Sequence, residues 1–293
     1  MCGIVGLYLK DQRLAPELGA HLETMLVKMT DRGPDSAGFA VYGEPIDGMV
    51  RLTIRSDAAE PDFESLSARL GSDVRITGHG NHVLALVPAS SLEQVKTVIA
   101  AEPDLVISSR GERVEMYRDV GLPANVAKRF GLSRMQGTHG IGHTRMATES
   151  AVTVDGAHPF STGNDQCLVH NGSLSNHNDL RRRLRREGME FRTENDSEVA
   201  AAYLSWRMNQ GDSFGDALTH ALDDLDGFYT FVVGTGRGFG VLRDPISCKP
   251  AVLAETDAWV AFGSEYQVLT DLPGIDKARV WEPKPSTPYF WER

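Results

Sequence analysis

Position 2 is a cysteine, directly behind Met1 and followed by Gly3-Ile4-Val5-Gly6. Removal of Met1 leaves one residue carrying both a thiol and a free α-amine. The reference pKa values of those two groups lie within about one unit of each other. The amine, a few bonds from the sulfur, then acts as a built-in base for the attacking thiol. Taken alone, a cysteine at position 2 is also compatible with a merely permissive site. Two further groupings have the types for chemistry. His79 and His82, in Gly78-His79-Gly80-Asn81-His82, read either as a metal or anion pair or as turn and strand residues. Asn171-Gly172 on its own reads as a hairpin turn.

These residues need elements to position them. Gly3 to Leu9 reads as a buried strand, and Gly38 to Tyr42 as a second. Between them, Leu18, Leu22, Met25, Leu26 and Met29 repeat at helical spacing, and Arg32-Gly33-Pro34-Asp35-Ser36 ends the helix with turn chemistry. Residues 48–118 read as strands and helices in β-α-β-β-α-β order, from Val50–Ile54 through Phe63–Leu70, Val74–Thr77, His82–Val87 and Leu92–Ala101 to Leu105–Ser108 and Val114–Tyr117. That order suits a small ferredoxin-like insert. Beyond it, strands are predicted at 140–144, 166–170, 228–234, 240–243 and 259–263, and helices at 124–130, 178–187, 198–209 and 214–222. Strands in consecutive groups with helices clustered between them indicate a layered α+β fold.

Composition narrows the class. The 293 residues are 41% hydrophobic and 24% charged, with a net charge of −10, which argues against nucleic acid or an anionic membrane as the main partner. No apolar run approaches a membrane span, and no basic segment leads into an apolar core at the N-terminus. Cys2, Cys167 and Cys248 are an odd count without metal-ligand spacing, which fits a reducing, cytoplasmic setting. Cys167 and Cys248 are expected to pack as small hydrophobes. The run Arg181-Arg182-Arg183-Leu184-Arg185-Arg186 reads as a solvated helix face or as a docking face for an acidic partner.

Eight ordered segments together resemble the class II glutamine amidotransferases, the N-terminal-cysteine branch of the Ntn hydrolases. They are Cys2-Gly3-Ile4-Val5-Gly6, Arg32-Gly33-Pro34-Asp35-Ser36-Ala37-Gly38, Gly142-His143-Thr144-Arg145-Met146-Ala147-Thr148, His158-Pro159-Phe160, His170-Asn171-Gly172-Ser173-Leu174, Asn195-Asp196-Ser197-Glu198, Arg243-Asp244-Pro245 and Gly263-Ser264-Glu265. The resemblance implies a four-layer αββα Ntn-hydrolase sandwich over residues 1–293, with 48–118 inserted within it. It implies hydrolysis of the L-glutamine side-chain amide through a Cys2 thioester. Asn171 and Gly172 are then the oxyanion donors. Arg145 holds the substrate α-carboxylate, a task suited to a bidentate guanidinium, and Asp196 holds the α-ammonium. Thr148 and Arg32 are second-rank substrate contacts, Arg32 in a loop that closes over the site in relatives. Asp35 and Ser36 are expected to hold that loop's turn. The sequence departs from glucosamine-6-phosphate synthase at Met146 and Glu149, where that enzyme has an aromatic residue and a histidine. The edge of the glutamine pocket is therefore expected to differ.

The resemblance runs to about residue 270, and the proline- and aromatic-rich remainder holds no synthase domain. Packing across the domain is the expected role of that tail, with partner docking the alternative. The expectation is a stand-alone glutaminase subunit that passes ammonia to a separate synthase subunit in a hetero-oligomer. The arrangement most resembles glutamate synthase-like complexes, including N-methylglutamate synthase, whose flavin and iron–sulfur chemistry lies in another subunit. No cofactor or metal is expected here, because the chain has neither a cysteine cluster nor a glycine-rich dinucleotide fingerprint. Two alternatives remain. One is a non-catalytic subunit that binds glutamine or glutamate and regulates such a complex. The other is an Ntn hydrolase of a different amide, against which Arg145 and Asp196 speak.

Overall fold

The computed structural model describes residues 2–147 and 151–293. Two antiparallel sheets lie face to face. The larger has seven strands, in the order Arg279–Trp281, Val252–Glu255, Trp259–Gly263, Gly3–Leu9, His139–Arg145, Ser36–Tyr42 and Val114–Val120. The second has five, in the order Tyr289–Glu292, Gly238–Arg243, Gly227–Gly234, Gln166–Leu174 and Phe160–Gly163. Helices Leu18–Val27 and Pro123–Phe130 cover the outer face of the first sheet. Helices His177–Arg186, Asp196–Asn209 and Phe214–Asp224 cover the second.

Three apolar layers hold this sandwich together. On strand Gly3–Leu9, Val5, Leu7 and Leu9 face the helices, while Ile4 and Tyr8 face the other sheet. The inter-sheet layer joins them to Cys167, Val169, Val232, Phe239 and Val241. Alternate residues of a strand point to opposite faces, and here both faces are covered. That is why the strand reads as an unbroken apolar run rather than a polar–apolar alternation. Cys167 is buried between the sheets, and burial pushes its thiol up to about 12. Cys248 does not follow the expectation of burial: it is exposed, in the turn after Arg243-Asp244-Pro245.

The fold is thus the α+β, four-layer sandwich that the resemblance implies. A third sheet, of four antiparallel strands, stands beside it in the order Arg75–His79, His82–Pro88, Met49–Ser56 and Leu105–Gly111. Helices Phe63–Leu70 and Leu92–Ala100 share its own apolar core. Strand Val114–Val120, grouped with this unit in the sequence reading, pairs instead with Ser36–Tyr42 in the large sheet. The tail packs across the sandwich: Arg279–Trp281 pairs with Val252–Glu255, and Tyr289–Glu292 with Gly238–Arg243.

His79 and His82 sit where the four-stranded sheet meets the sandwich. His82 is fully buried with its ring edge-on to Phe130 at 4.8 Å, and His79 contacts Tyr117. Among the described residues, no group of three or more His, Cys, Asp or Glu side chains is arranged to hold a metal ion. In the arginine run, Arg181 is buried against Glu194, and the other four arginines are exposed. Among the described residues no helix is long and apolar enough to cross a membrane.

Candidate active site

Strand Gly3–Leu9 delivers Cys2 to one end of the sandwich, and several of the motif segments fix that end. Ile4 N–H donates to Ser264 Oγ (2.9 Å), and Ser264 N–H donates back to the Ile4 carbonyl (3.0 Å). The Cys2 carbonyl accepts from Arg32 Nε (3.0 Å) and Asn171 Nδ2 (3.2 Å). Arg32 Nη1 in turn donates to Glu265 Oε1 at 2.7 Å. The Cys2 carbonyl is thus held from the turn Thr30–Arg32 and from strand Gln166–Leu174 of the second sheet. Arg32, expected in a covering loop, is tied here to Cys2 and Glu265.

Asn171 and Gly172 are not a hairpin turn. They lie within strand Gln166–Leu174, opposite Thr230 and Tyr229. Gly172 has φ +150°, and a Cβ there would stand 2.0 Å from the Phe228 carbonyl. Only glycine suits that position without strain.

Arg145 ends strand His139–Arg145, next to Ser36 on the neighbouring strand. Asp35 shapes the segment that follows: its N–H donates to the Arg145 carbonyl (3.1 Å), and its Oδ2 accepts from Ala147 N–H (2.8 Å). Asp35 therefore ties its own loop to residues 145–147, and Ser36 opens strand Ser36–Tyr42. Thr148 and Glu149 lie outside the described residues.

Asp196 opens helix Asp196–Asn209, which is capped by Asn195, whose Oδ1 accepts from Ser197 N–H at 2.8 Å. A carboxylate in a first helical turn is favoured by the helix dipole. Asp196 Oδ2 also accepts from Leu174 N–H (2.9 Å), which aims the carboxylate beside the Asn171-Gly172 strand. Glu198 accepts from Arg192 and Thr193 N–H (2.9 and 2.8 Å) and holds the loop before the helix.

These groups share one cavity of about 930 Å³. Cys2, Arg145, Asn171, Gly172 and Asp196 all line it, with Lys249, Phe228, Asp155 and His177. A thiol-bearing residue, an amide donor, a guanidinium and a carboxylate therefore face one space. That set suits an amino-acid zwitterion carrying a reactive side chain.

One part of the site was not assigned from sequence. His143, His158 and His170 come together with Ser197. His158 Nε2 and His170 Nδ1 lie 2.8 and 2.9 Å from Ser197 Oγ. The His143 ring stacks on His158 at 4.1 Å, and its Nε2 donates to the His170 carbonyl at 3.1 Å. A hydroxyl has one proton, so at least one of the two rings at Ser197 donates to it. Burial lowers all three imidazoles: His143 to about 3, His158 well below its ordinary value, and His170 also below despite nearby Asp196. His158, His170 and Ser197 line the cavity, and His143 stacks on His158. Each sits inside a motif segment, and that was the available signal.

The glutamine amidotransferase-like protein GlxB of Rhizobium meliloti is 60% identical over 100% of this chain and 98% of its own length. The chain belongs to the class II glutamine amidotransferases. A family model described as a glutamine amidotransferase domain matches residues 143–271 of this amidotransferase, the stretch that carries Arg145, Asn171, Gly172 and Asp196. A protein of Methanothermobacter thermautotrophicus named as a glutamine amidotransferase is 34% identical over the full length of both chains. In fold, the structure resembles glutamine phosphoribosylpyrophosphate amidotransferase of B. subtilis, with a TM-score of 0.64 at 19% identity. That match covers 99% of this chain and 47% of the other, so this amidotransferase spans about half the length of that enzyme. Family relatives are Ntn-type glutamine-hydrolysing enzymes.

Proposed function

We propose that this chain is a glutaminase subunit that hydrolyses the side-chain amide of L-glutamine and hands the ammonia to a separate synthase subunit in the cytoplasm. The observation that carries the reading is the shared cavity of Cys2, Asn171, Gly172, Arg145 and Asp196. In this reading Met1 is removed. Arg145 takes the substrate α-carboxylate and Asp196 its α-ammonium, which points the side-chain amide toward Cys2. The α-amine of Cys2 accepts the thiol proton as sulfur attacks the amide carbon. Asn171 Nδ2 and the Gly172 N–H stabilise the oxyanion. The proton returns to the leaving nitrogen, ammonia departs and a thioester remains. Water, activated by the same amine, then releases glutamate and frees the thiol.

The synthase partner that would take up the ammonia is part of this proposal and rests on the resemblance. By resemblance this partner is a glutamate synthase-like subunit, with flavin and iron–sulfur groups of its own. Mass spectrometry of the purified protein tests the first requirement, and retention of Met1 rules the mechanism out. Cys2→Ala tests the second: glutamine turnover is expected to vanish while the circular dichroism spectrum persists. A Cys2→Ala variant with unchanged turnover overturns the reading. Affinity capture from the native cell, with identification of what co-purifies, tests the partner.

A further inference from the structure

The four-stranded unit reaches the cavity through an ion pair. Arg55 lies near the end of strand Met49–Ser56, and its side chain is only 2% exposed. Its Nη2 lies 3.0 Å from Asp57 Oδ2, inside the unit, and 2.8 Å from Asp155 Oδ1, outside it. Burial opposes the charge of Arg55, but the two carboxylates more than offset this and hold its pKa above the ordinary value. A buried guanidinium that loses a carboxylate is left poorly compensated, so the contact resists opening.

Asp155 belongs to segment 151–157, which lines the cavity. The segment lacks regular secondary structure over residues 151–153, and its internal bonds are sparse. Gly156 N–H donates to Thr153 Oγ1 (3.2 Å), and Ala157 N–H to the Val154 carbonyl (3.1 Å). Besides Arg145, two arginines from outside hold it. One is Arg55. The other is the buried Arg118, whose Nη1 donates to the Ala157 carbonyl (2.7 Å) and the Pro159 carbonyl (3.0 Å).

This segment lies against Arg145. A Cβ on Gly156 would stand 3.1 Å from Arg145 Nη1, and the same nitrogen donates to the Ala151 carbonyl at 3.5 Å. The chain of contact runs from Arg55 to Asp155, to its neighbour Gly156, and to Arg145.

We propose that Arg55 is a positioning residue for the amino-acid end of the cavity. Through Asp155 it fixes segment 151–157 around Arg145, so the inserted unit sets how tightly the substrate α-carboxylate is held. The inference rests on the glutaminase reading above. The device acts at the carboxylate end, away from the amide and Cys2, so it governs KM and leaves kcat nearly unchanged.

Asp155→Asn tests this at a side chain 55% exposed, with Asp57 left to pair the Arg55 charge. Glutamine kinetics are measured for Asp155→Asn, Arg55→Met, the double variant, and Asp57→Asn as a control confined to the unit. In parallel, amide hydrogen exchange is followed over residues 151–157. Each of the first two variants is expected to raise KM roughly tenfold, with kcat within about twofold and faster exchange in the segment. The double variant is expected to be no worse than either single one, because both break the same contact. Asp57→Asn is expected to keep the parental KM. Parental KM and exchange in Asp155→Asn overturn the proposal. So do additive effects in the double variant, which place Asp155 directly on the substrate. If the parent chain turns over no glutamine, the glutaminase reading fails, and unchanged exchange in Asp155→Asn separately refutes the contact's role.

Discussion

Lowering the pH from 7 to 5 should destabilise the fold by several kcal/mol through three buried histidines. His82, His139 and His143 are at most 1% exposed, and burial lowers each to about 3. In the unfolded chain they titrate near the ordinary value of 6.5. Between those two values the unfolded state binds more protons than the folded one, so stability rises with pH. The contribution is fully present above about pH 6.5 and is lost as pH falls below it. For one such histidine the change between pH 7 and pH 5 is about 2 kcal/mol, and for the three about 5–6 kcal/mol. A domain's whole stability is typically about 5–15 kcal/mol. His158 and His170 are lowered too and act in the same direction. Glu115, whose carboxyl is raised by burial, opposes them with a single group. Most carboxylates titrate below this window. Denaturant unfolding at pH 7, 6 and 5 measures the slope. In His82→Phe, whose ring can pack between Phe130 and Tyr117, the slope should fall by about 1.4 kcal/mol per pH unit below pH 6. Stability constant to within about 1 kcal/mol across the range, or resonances assigned to His82, His139 and His143 titrating near 6.5, refutes the reasoning.

Three substitutions probe the site. Asn171→Ala removes an oxyanion donor and should lower kcat for glutamine by roughly 10²–10³ at little change in melting temperature, read by steady-state kinetics. Arg145→Lys keeps the charge but loses the planar fork, so KM should rise about 10–100-fold with kcat much less affected; unchanged KM removes Arg145 from substrate recognition. Gly172→Ala places a methyl group against the Phe228 carbonyl at a positive φ, and should cost at least about 1–3 kcal/mol in unfolding free energy besides any loss of turnover.

The sandwich was legible because its inner strands are covered on both faces. Ile4, Val5 and Leu7 all point into apolar layers, so the run announces a buried strand without help from periodicity. Cys2, Arg145, Asn171 and Asp196 were legible for another reason: each sits in a segment whose residue types match one family in order. What escaped is what depends on distant partners. Nothing local says that Val114–Val120 joins Ser36–Tyr42 rather than its neighbours in sequence. The layer of His143, His158, His170 and Ser197 spans three strands or loops and a helix start, and forms only when the sheets stack. Arg55 and Asp155 are separated by a hundred positions, and neither is unusual in its own surroundings. The strands at 279–281 and 289–292 are three and four residues long and straddle prolines, too short to leave a pattern.

Those two short strands carry a consequence for handling the protein. Each caps the open edge of a different sheet, one on Val252–Glu255 and the other on Gly238–Arg243. A deletion from residue 279 onward therefore bares two rows of unpaired amides and carbonyls simultaneously, on opposite slabs of the sandwich. Bared edges recruit strands from other molecules. Such a truncation is expected to polymerise in two directions, and its insolubility would say nothing about whether Cys2 is still competent.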